Sequence, residues 1–458
     1  MAYELRDYQV DLINRIYQSL LQGHKHIIVQ SPPRTGKTVV MSEIARRTTE
    51  KGNRVCFIIH RKEVLEQAKA TFKAQGVNSD LLTAGMVQTL TRRINKMEAP
   101  AVIMVDEAHH ALAKSYTKII EAFPNAIVLL FTATPVRTGR NQLDKIADDI
   151  VLGKTVKQLI DEHFLAPFTY YGTKFKDVDT EKLKVSNGDY TNASMEEALG
   201  RKIYSHTVDE YLEKAKGMQA VVYTYSVESA KKLAEEFNAR GISAAECDGA
   251  TNKDIRDYIV KKFRDQKLKI LVNVNLFTEG IDLPNVDCVI MVRPTQSLAL
   301  FMQFSMRCLN PRPGKKAVII DQVDNYKRHG LPTKEHDWKK LMTSRKKRNA
   351  PSEVSVLQCP SCMTVFERAE LKENTCPYCG YSPVLQPKGK QVEDADLVEI
   401  SEDYLDSVTQ RMQKAIKQAA KVEDWKQLKS YQQLLAYAKD HGYKPGWAWH
   451  KAQERGFI

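Results

Sequence analysis

"SPPRTGKT", residues 31–38, follows the apolar run "HIIVQ" (26–30) and precedes a helix-like stretch. A strand that turns through such a loop and opens a helix is the arrangement in which backbone N–H groups wrap phosphates, a lysine reaches the β and γ oxygens and a hydroxyl holds Mg2+. Gly36, Lys37 and Thr38 supply the end of the pattern G-x-x-x-x-G-K-[ST], with Thr35 before them, while Ser31 stands at its first glycine. A serine can follow a strand into a tight turn if its φ stays negative, so this substitution does not exclude the loop. Arg34 is a second departure, and G-K-T alone occurs often by chance. The rest of the chain decides the matter.

Outward from the loop, short β-rich runs alternate with helical stretches: "HIIVQ", "RVCFIIH", "AVIMVDE" and "AIVLLFTATP". A second series follows with "QAVVYTY", "KILVNVN", "CVIMVRP" and "KAVIIDQV". Runs at this spacing imply βαβ units and a parallel sheet. The expected fold class is therefore α/β, with two tandem parallel-sheet domains over residues 1–165 and 201–335. Residues 166–200 are polar and less periodic, which suggests a linker or small insertion. Residues 336–355 hold a basic connector, 356–384 a cysteine module and 385–458 a tail with helical patterning.

The whole chain has 458 residues, too many for one core. It carries no run of 18 apolar residues and no charged-then-apolar start, so neither a membrane span nor a signal peptide is expected, and the expected compartment is the cytoplasm. A formal net charge of +13 favours a polyanionic partner. Cys56, Cys247, Cys288 and Cys308 lie in apolar contexts and read as reduced core residues.

"VIMVDEAHH" (102–110) puts Asp106 and Glu107 at the C-terminal end of an apolar strand, where open α/β sheets bind ligands. Asp106 there suits a Mg2+ shell and Glu107 a water to be oriented or deprotonated, which is the division of labour in phosphate-ester hydrolysis. An acidic pair after a strand is usually a solvated loop. The G-K-T upstream reverses that reading.

With "LRDYQ" (5–9), "DEAH" (106–109) and "FTATP" (131–135) in this order, the chain resembles the superfamily 2 helicases and translocases. It is most similar to the DEAH-box branch that includes RadD and XPB-like DNA enzymes, and to helicases of phage replication modules. The resemblance covers about residues 3–325. It implies two RecA-like domains, with Arg6 and Gln9 matching the adenine-reading motif. It also matches Lys37 and Thr38 to the phosphate and Mg2+ ligands and Asp106, Glu107 and His109 to the DEAH box. Thr132 and Thr134 match the motif that links hydrolysis to domain movement. His60 and Arg61 of "IIHRKEVLEQ", Gln88 and Thr89 of "MVQTL", and Thr224 and Ser226 of "VVYTYSVES" match segments that grip a nucleic-acid backbone. In "VNLFTEGIDLP" (274–284), Thr278 would contact the strand while Glu279, Gly280 and Asp282 couple that contact to nucleotide. The family's last motif, Q-x-x-G-R-x-x-R, reads "QFSMRCLNPR" (303–312) here. Gln303 and Arg307 are in place, Met306 replaces the glycine and Asn310 the final arginine. Either Arg307 serves alone as the cation that stabilises the transferring phosphoryl group, or Arg312 reaches in. Arg34, at a position commonly glycine in the family, points toward the phosphates or outward to an acidic neighbour.

"CPSCMTVFERAELKENTCPYCG" (359–380) spaces Cys359, Cys362, Cys376 and Cys379 as C-x2-C, thirteen residues, C-x2-C. Four thiolates so spaced fit a closed, structural tetrahedral Zn2+. Lys372, Arg368 and the Arg345–Arg348 run near it suit contact with nucleic acid or a partner protein. Trp447 and Trp449 in the tail either stack on unpaired bases or dock the tail on its own protein. The expectation is an ATP-dependent DNA helicase or translocase of replication or repair, bacterial or from a phage. An RNA-dependent ATPase and a slow ATP-gated DNA-binding or loading protein stand as rivals.

Overall fold

The computed structural model describes residues 2–60, 62–108, 114–136, 143–173, 183–186, 189–199, 202–274, 283–343, 356–372, 374–382, 424–428, 431–443 and 445–455. Chain contacts divide it into residues 1–385 and 386–458.

Six parallel strands make the first sheet: β1 (His26–Gln30), β2 (Val55–Ile59), β3 (Leu82–Met86), β4 (Val102–Val105), β5 (Ile127–Thr132) and β6 (Asp149–Leu152), in the order β3-β2-β4-β5-β1-β6. The central runs are apolar throughout because helices cover both faces of a parallel sheet. Phe57, Met104, Phe131 and Val29 are buried in one core layer and Ile58, Ile103, Leu130 and Ile28 in the other. β1 and β5 pair in the register Val29↔Phe131 and Gln30↔Thr132. That register brings the start of the loop after β1 level with "TATP" after β5.

The second sheet takes in β7 (Phe168–Gly172), β10 (Ala220–Tyr223), β11 (Ala244–Cys247), β12 (Ile270–Asn273), β13 (Cys288–Met291), β14 (Ala317–Asp321), β15 (Val356–Gln358) and β16 (Thr364–Glu367). A separate two-stranded ribbon of β8 (Val185–Ser186) and β9 (Asp189–Tyr190) precedes β10. The order is β11-β12-β10-β13-β14-β7-β16-β15. The first six strands run parallel, and β16 joins β7 antiparallel through Thr364↔Tyr171 and Val365↔Tyr170. Residues 166–200, set apart in the sequence as a linker or insertion, thus contribute β7 to this sheet and bury Tyr190, Met195 and Leu199 in one of its two core layers. The cysteine module continues the same sheet as its antiparallel edge. Gly172 makes the join possible, because a Cβ there would lie 2.6 Å from Gln358 Nε2 and 2.9 Å from the Tyr326 ring. Tyr170 O–H donates to the buried Asp321 carboxylate at 2.8 Å, tying β7 to β14 beneath the module.

Cys56, Cys247, Cys288 and Cys308 are buried free thiols. Burial pushes the Cys56 and Cys308 thiols up to about 12. In residues 386–458, helices Tyr431–Asp440 and Pro445–Glu454 close on Leu428, Leu434, Tyr437, Ala448 and Ala452. Trp447 belongs to that core, its ring 4.6 Å from Tyr443 and 5.6 Å from Trp425. Trp449 is exposed. Among the described residues no helix is long and apolar enough to cross a membrane.

Candidate nucleotide and nucleic-acid site

The loop after β1 is held from three sides. Ser31 N–H donates to the Thr132 carbonyl at 3.0 Å and Gln30 Nε2 to the Ala133 carbonyl at 2.9 Å, which fastens it to "TATP". Inside the loop, Thr35 Oγ1 donates to the Pro32 carbonyl at 2.8 Å and lies 2.6 Å from Ser31 Oγ. Ser31 therefore does in the buried turn what a glycine cannot: it supplies a hydroxyl that braces the loop. From the N-terminal side, Gln9 Nε2 and the Tyr8 hydroxyl both donate to the Thr35 carbonyl at 3.0 Å. Gln9 Oε1 in turn accepts from Arg6 N–H at 3.0 Å, capping helix Asp7–Leu21.

Arg34 and Gly36 both adopt left-handed backbone, with φ of 68° and 74°. The alternation turns successive amides of the loop to one side, as an anion-binding nest requires. Lys37 and Thr38 begin helix Lys37–Glu50, whose N–H dipole faces the same space. Lys37 Nζ lies 3.4 Å from the Ser31 carbonyl and 3.5 Å from that of Pro32, curled over the loop. A cavity of about 220 Å³ opens beside it, lined by Tyr3, Glu4, Arg6, Tyr8, Gln9, Arg34, Thr35, Gly36 and Val39.

Asp106 and Glu107 follow β4 one strand from β5. Asp106 is buried and accepts from Glu107 N–H at 2.9 Å. Glu107 itself has φ of 49°, a strained conformation for a residue other than glycine. Thr132 Oγ1 donates to the Thr134 carbonyl at 3.1 Å, and the turn buries both hydroxyls between the loop and the sheet.

The second sheet presents helix Leu298–Ser305, capped by Ser297, with Gln303 and Arg307 both buried. Arg34 Nη2 donates to the Arg307 carbonyl at 3.3 Å, so the first domain's loop meets the second domain's last motif directly. Neither outcome expected for Arg34 anticipated a backbone partner. Arg312 forms an ion pair with Asp287 on its own domain. Asn310 Nδ2 donates to the Pro284 carbonyl at 3.2 Å.

Arg6, Gln9, Arg34, Thr35, Gly36, Lys37, Thr38, Asp106, Thr132 and Thr134 lie in one neighbourhood around the end of β1. Gln88 and Thr89 are exposed in the first turn of helix Val87–Arg93, and His60 is half-buried at the end of β2. Thr224 is buried with its hydroxyl bonded to Ser229, and Ser226 caps helix Val227–Ala239 by accepting from Ser229 N–H at 3.1 Å. Those two hydroxyls already have internal partners. Arg61, His109, Thr278, Glu279, Gly280 and Asp282 lie outside the described residues, as does the Arg345–Arg348 run. Tyr8, Gln30 and Tyr223 were not singled out from the sequence, although Tyr8 and Tyr223 sit inside the quoted motifs. Tyr223 is buried and stacked 4.0 Å from Phe304; burial raises its phenol pKa, and the nearby Arg307 charge opposes the rise.

The four module cysteines come together with all sulfurs within 4.8 Å of one another. Cys359 and Cys379 sulfurs are 3.7 Å apart, and those of Cys362 and Cys376 are 3.8 Å apart. A tetrahedron with metal–sulfur bonds near 2.3 Å has edges of about 3.8 Å, so the donor set fits a four-coordinate ion. Two matching knuckles build it. Met363 N–H donates to the Cys359 carbonyl and Gly380 N–H to that of Cys376, both at 3.0 Å, with φ of 63° and 71°.

Comparison with known proteins agrees with this architecture. Residues 2–94 and 78–137 match the family described as "Type III restriction enzyme, res subunit", and residues 204–311 match "Helicase conserved C-terminal domain". A 51.5 kDa protein of Lactococcus phage (isolate 7-9) is 40% identical over 369 residues, covering 80% of each chain. The DNA 3'-5' translocase XPB2 of Sulfurisphaera tokodaii is 24% identical over 262 residues, 48% of this chain and 58% of that protein. Among solved structures, a fragment described as an HsdR subunit of a type I restriction enzyme from Vibrio vulnificus YJ016 superposes with a TM-score of 0.58. It is 21% identical and covers 72% of this chain and 67% of that one. The chain belongs to the superfamily 2 helicases, of the RadD and XPB-like type. It is accordingly a member of an ATP-dependent helicase and translocase family with two RecA-like domains.

Proposed function

We propose that the chain is an ATP-dependent DNA helicase or translocase that acts on single-stranded or branched DNA in replication or repair, in a bacterial cytoplasm or as a phage protein there. The observation that carries this reading is the hydrogen bond from Arg34 to the Arg307 carbonyl, which sets the two halves of a split nucleotide site against each other. The family's translocase relative named for DNA and the +13 charge support DNA as the polymer.

ATP would enter between the domains, its phosphates meeting the loop amides and Lys37. Arg6 and Gln9 would flank the adenine. Mg2+ would supply positive charge against the negative charge that develops on the phosphate oxygens. Thr38 and Asp106 are the residues that would hold it. Glu107 orients a water against the γ-phosphorus. As the new P–O bond forms, the bond to the β–γ bridging oxygen breaks, the water proton passes toward Glu107, and Gln303 and Arg307 meet the transferring group. Thr132, whose carbonyl accepts from Ser31 of the loop, and Thr134, bonded to Thr132, pass the change to the nucleic-acid segments at His60, Arg61, Gln88, Thr89, Thr224, Ser226 and Thr278. His109, Glu279, Gly280 and Asp282 complete the coupling in this reading. Cys359, Cys362, Cys376 and Cys379 hold a structural Zn2+ in the edge of the second sheet, and a replication or repair partner docks through that module or the tail.

A slow ATP-gated DNA-binding or loading protein is the second reading. Asn310, turned to the Pro284 carbonyl, and Arg312, paired with Asp287, favour it because neither supplies the second arginine that ends this motif in the family. Steady-state ATP hydrolysis alone and with single-stranded DNA, duplex, a forked junction and matched RNA, beside Glu107→Gln, separates the readings. DNA-stimulated turnover that Glu107→Gln abolishes supports the motor. Preferential stimulation by RNA reassigns the polymer, and ATP binding without stimulated turnover leaves the clamp.

A further inference from the structure

Arg34 is unusual in two independent ways. Its backbone is left-handed, φ 68°, which costs a side-chain-bearing residue about 1 kcal/mol or more. Its guanidinium lines the cavity beside Gln9 and Gly36 and at the same time donates from Nη2 to the Arg307 carbonyl at 3.3 Å. Arg307 itself is buried, and its charge bears on the buried Tyr223 phenol, whose ring is stacked on Phe304. The segment that must bring Arg307 to a γ-phosphate is therefore tied to the other domain through its backbone. The Arg307 carbonyl is held from the loop that would receive the phosphates.

The Arg307 carbonyl and a phosphate are unequal acceptors for Arg34. A neutral carbonyl at 3.3 Å is a long single bond. A phosphate offers a charged, bidentate partner, and guanidinium is the group best shaped for it. We propose that Arg34 is a positioning residue that latches the Arg307 segment to the P-loop in the nucleotide-free chain and is drawn off it by the phosphates of a bound nucleoside triphosphate, freeing Arg307 to enter the site. This rests on the reading of the cleft as an ATP site. It assigns the arginine at a position where the loop needs only a small residue a purpose: the domain contact is exchanged for a phosphate contact. It also explains why the strain at residue 34 is tolerated, because left-handed backbone there turns the side chain across the cleft rather than into the loop.

The test is hydrogen exchange on the full chain with Arg34→Gly and Arg34→Lys, with and without a non-hydrolysable ATP analogue and Mg2+. Glycine removes the side chain and suits the left-handed backbone, so the fold is retained. Without nucleotide, Arg34→Gly should raise exchange over residues 302–309 about five-fold, the worth of one ordinary hydrogen bond, since the contact is long. Arg34→Lys should recover part of the protection. With analogue bound, wild type and Arg34→Gly should exchange alike over 302–309. Equal exchange of the two proteins without nucleotide overturns the latch, and an equal difference with and without analogue overturns the gating, leaving a fixed tether. Protection over residues 31–38 reports analogue binding separately. Its absence in the wild type overturns the ATP reading and the gating together, while its presence with either failure above leaves the ATP reading standing.

Discussion

Gln9 Nε2 occupies the space where a Cβ on Gly36 would lie, 2.6 Å away. The glycine is thus required twice, by its φ of 74° and by the amide that reaches past it to the Thr35 carbonyl. Gly36→Ala should fold, because the loop is partly exposed, yet weaken binding of a fluorescent ATP analogue by at least about tenfold. The estimate combines left-handed strain of about 1 kcal/mol with loss of the Gln9 bond. Equilibrium titration beside a circular dichroism spectrum separates that loss from misfolding.

Arg312 offers itself as a second cation for the phosphoryl group only if it leaves Asp287. Its ion pair holds it to its own domain, whereas the Arg307 carbonyl accepts from Arg34 of the loop. Arg307→Ala should lower kcat by about a thousand-fold with a small change in KM, as removal of such an arginine does elsewhere. Arg312→Ala should stay within about two-fold, a surface ion pair being worth about 1 kcal/mol or less. Steady-state kinetics on both variants check the assignment. Comparable losses in the two would show that the loop rearranges to use Arg312.

The central strands were legible because both faces of a parallel sheet are buried, which writes "VCFII", "VIMV" and "AVIID" as continuous apolar runs. Edge strands escaped. β3 reads "LTAGM" and β11 reads "AAEC", each half-exposed along its length, and an edge strand need not be apolar. β7, "FTYYG", was passed over for another reason. It is a sheet interior whose aromatic side chains carry hydroxyls, one of them spent on Asp321, so polarity masked burial. The chemistry-bearing side chains of the first domain were readable from spacing, since strand ends fix where loops emerge. The bond from Arg34 to Arg307 was not, because it joins residues 273 apart through a backbone carbonyl, which no side-chain pattern records.

Joining of β16 to β7 gives the cysteine module a structural consequence beyond itself. A bound Zn2+ would tie the first knuckle, Cys359 to Cys362, which leads into β16, to the second, Cys376 to Cys379, and β16 covers the edge that β7 would otherwise expose. Metal removal by a chelator, or Cys376→Ser, should release about one equivalent of Zn2+ and lower the unfolding midpoint of the second domain by about 5 °C or more, since structural zinc sites contribute folding free energy outright. Amides of residues 168–172 should lose protection in the same samples. A chain that loses zinc while keeping both the midpoint and that protection would show the module to be an independent appendage.

Glu43 anchors the helix that begins at Lys37. It is buried, and its carboxylate accepts from Arg46 Nε and Nη2 at 2.8 Å, Arg47 Nε at 2.7 Å and Gln75 Nε2 at 3.1 Å. The Arg46 hydrogen bond, working against burial and helped by Arg47 and Gln75, holds its pKa down to about 2 from an ordinary 4.5. Because the folded pKa is the depressed one, the folded chain binds fewer protons than the unfolded chain between these values. Its contribution is complete above about pH 4.5 and is lost as pH falls through about 2. The shift corresponds to about 3 kcal/mol at most. Glu43→Gln should therefore be destabilised by about 2 kcal/mol at pH 7, where it loses the charge that partners two arginines. The deficit should shrink steadily below pH 4.5, measured by denaturant unfolding of both proteins from pH 3 to 7. A deficit constant with pH would show that Glu43 acts through packing alone, and would detach the start of the nucleotide-binding helix from this ion cluster.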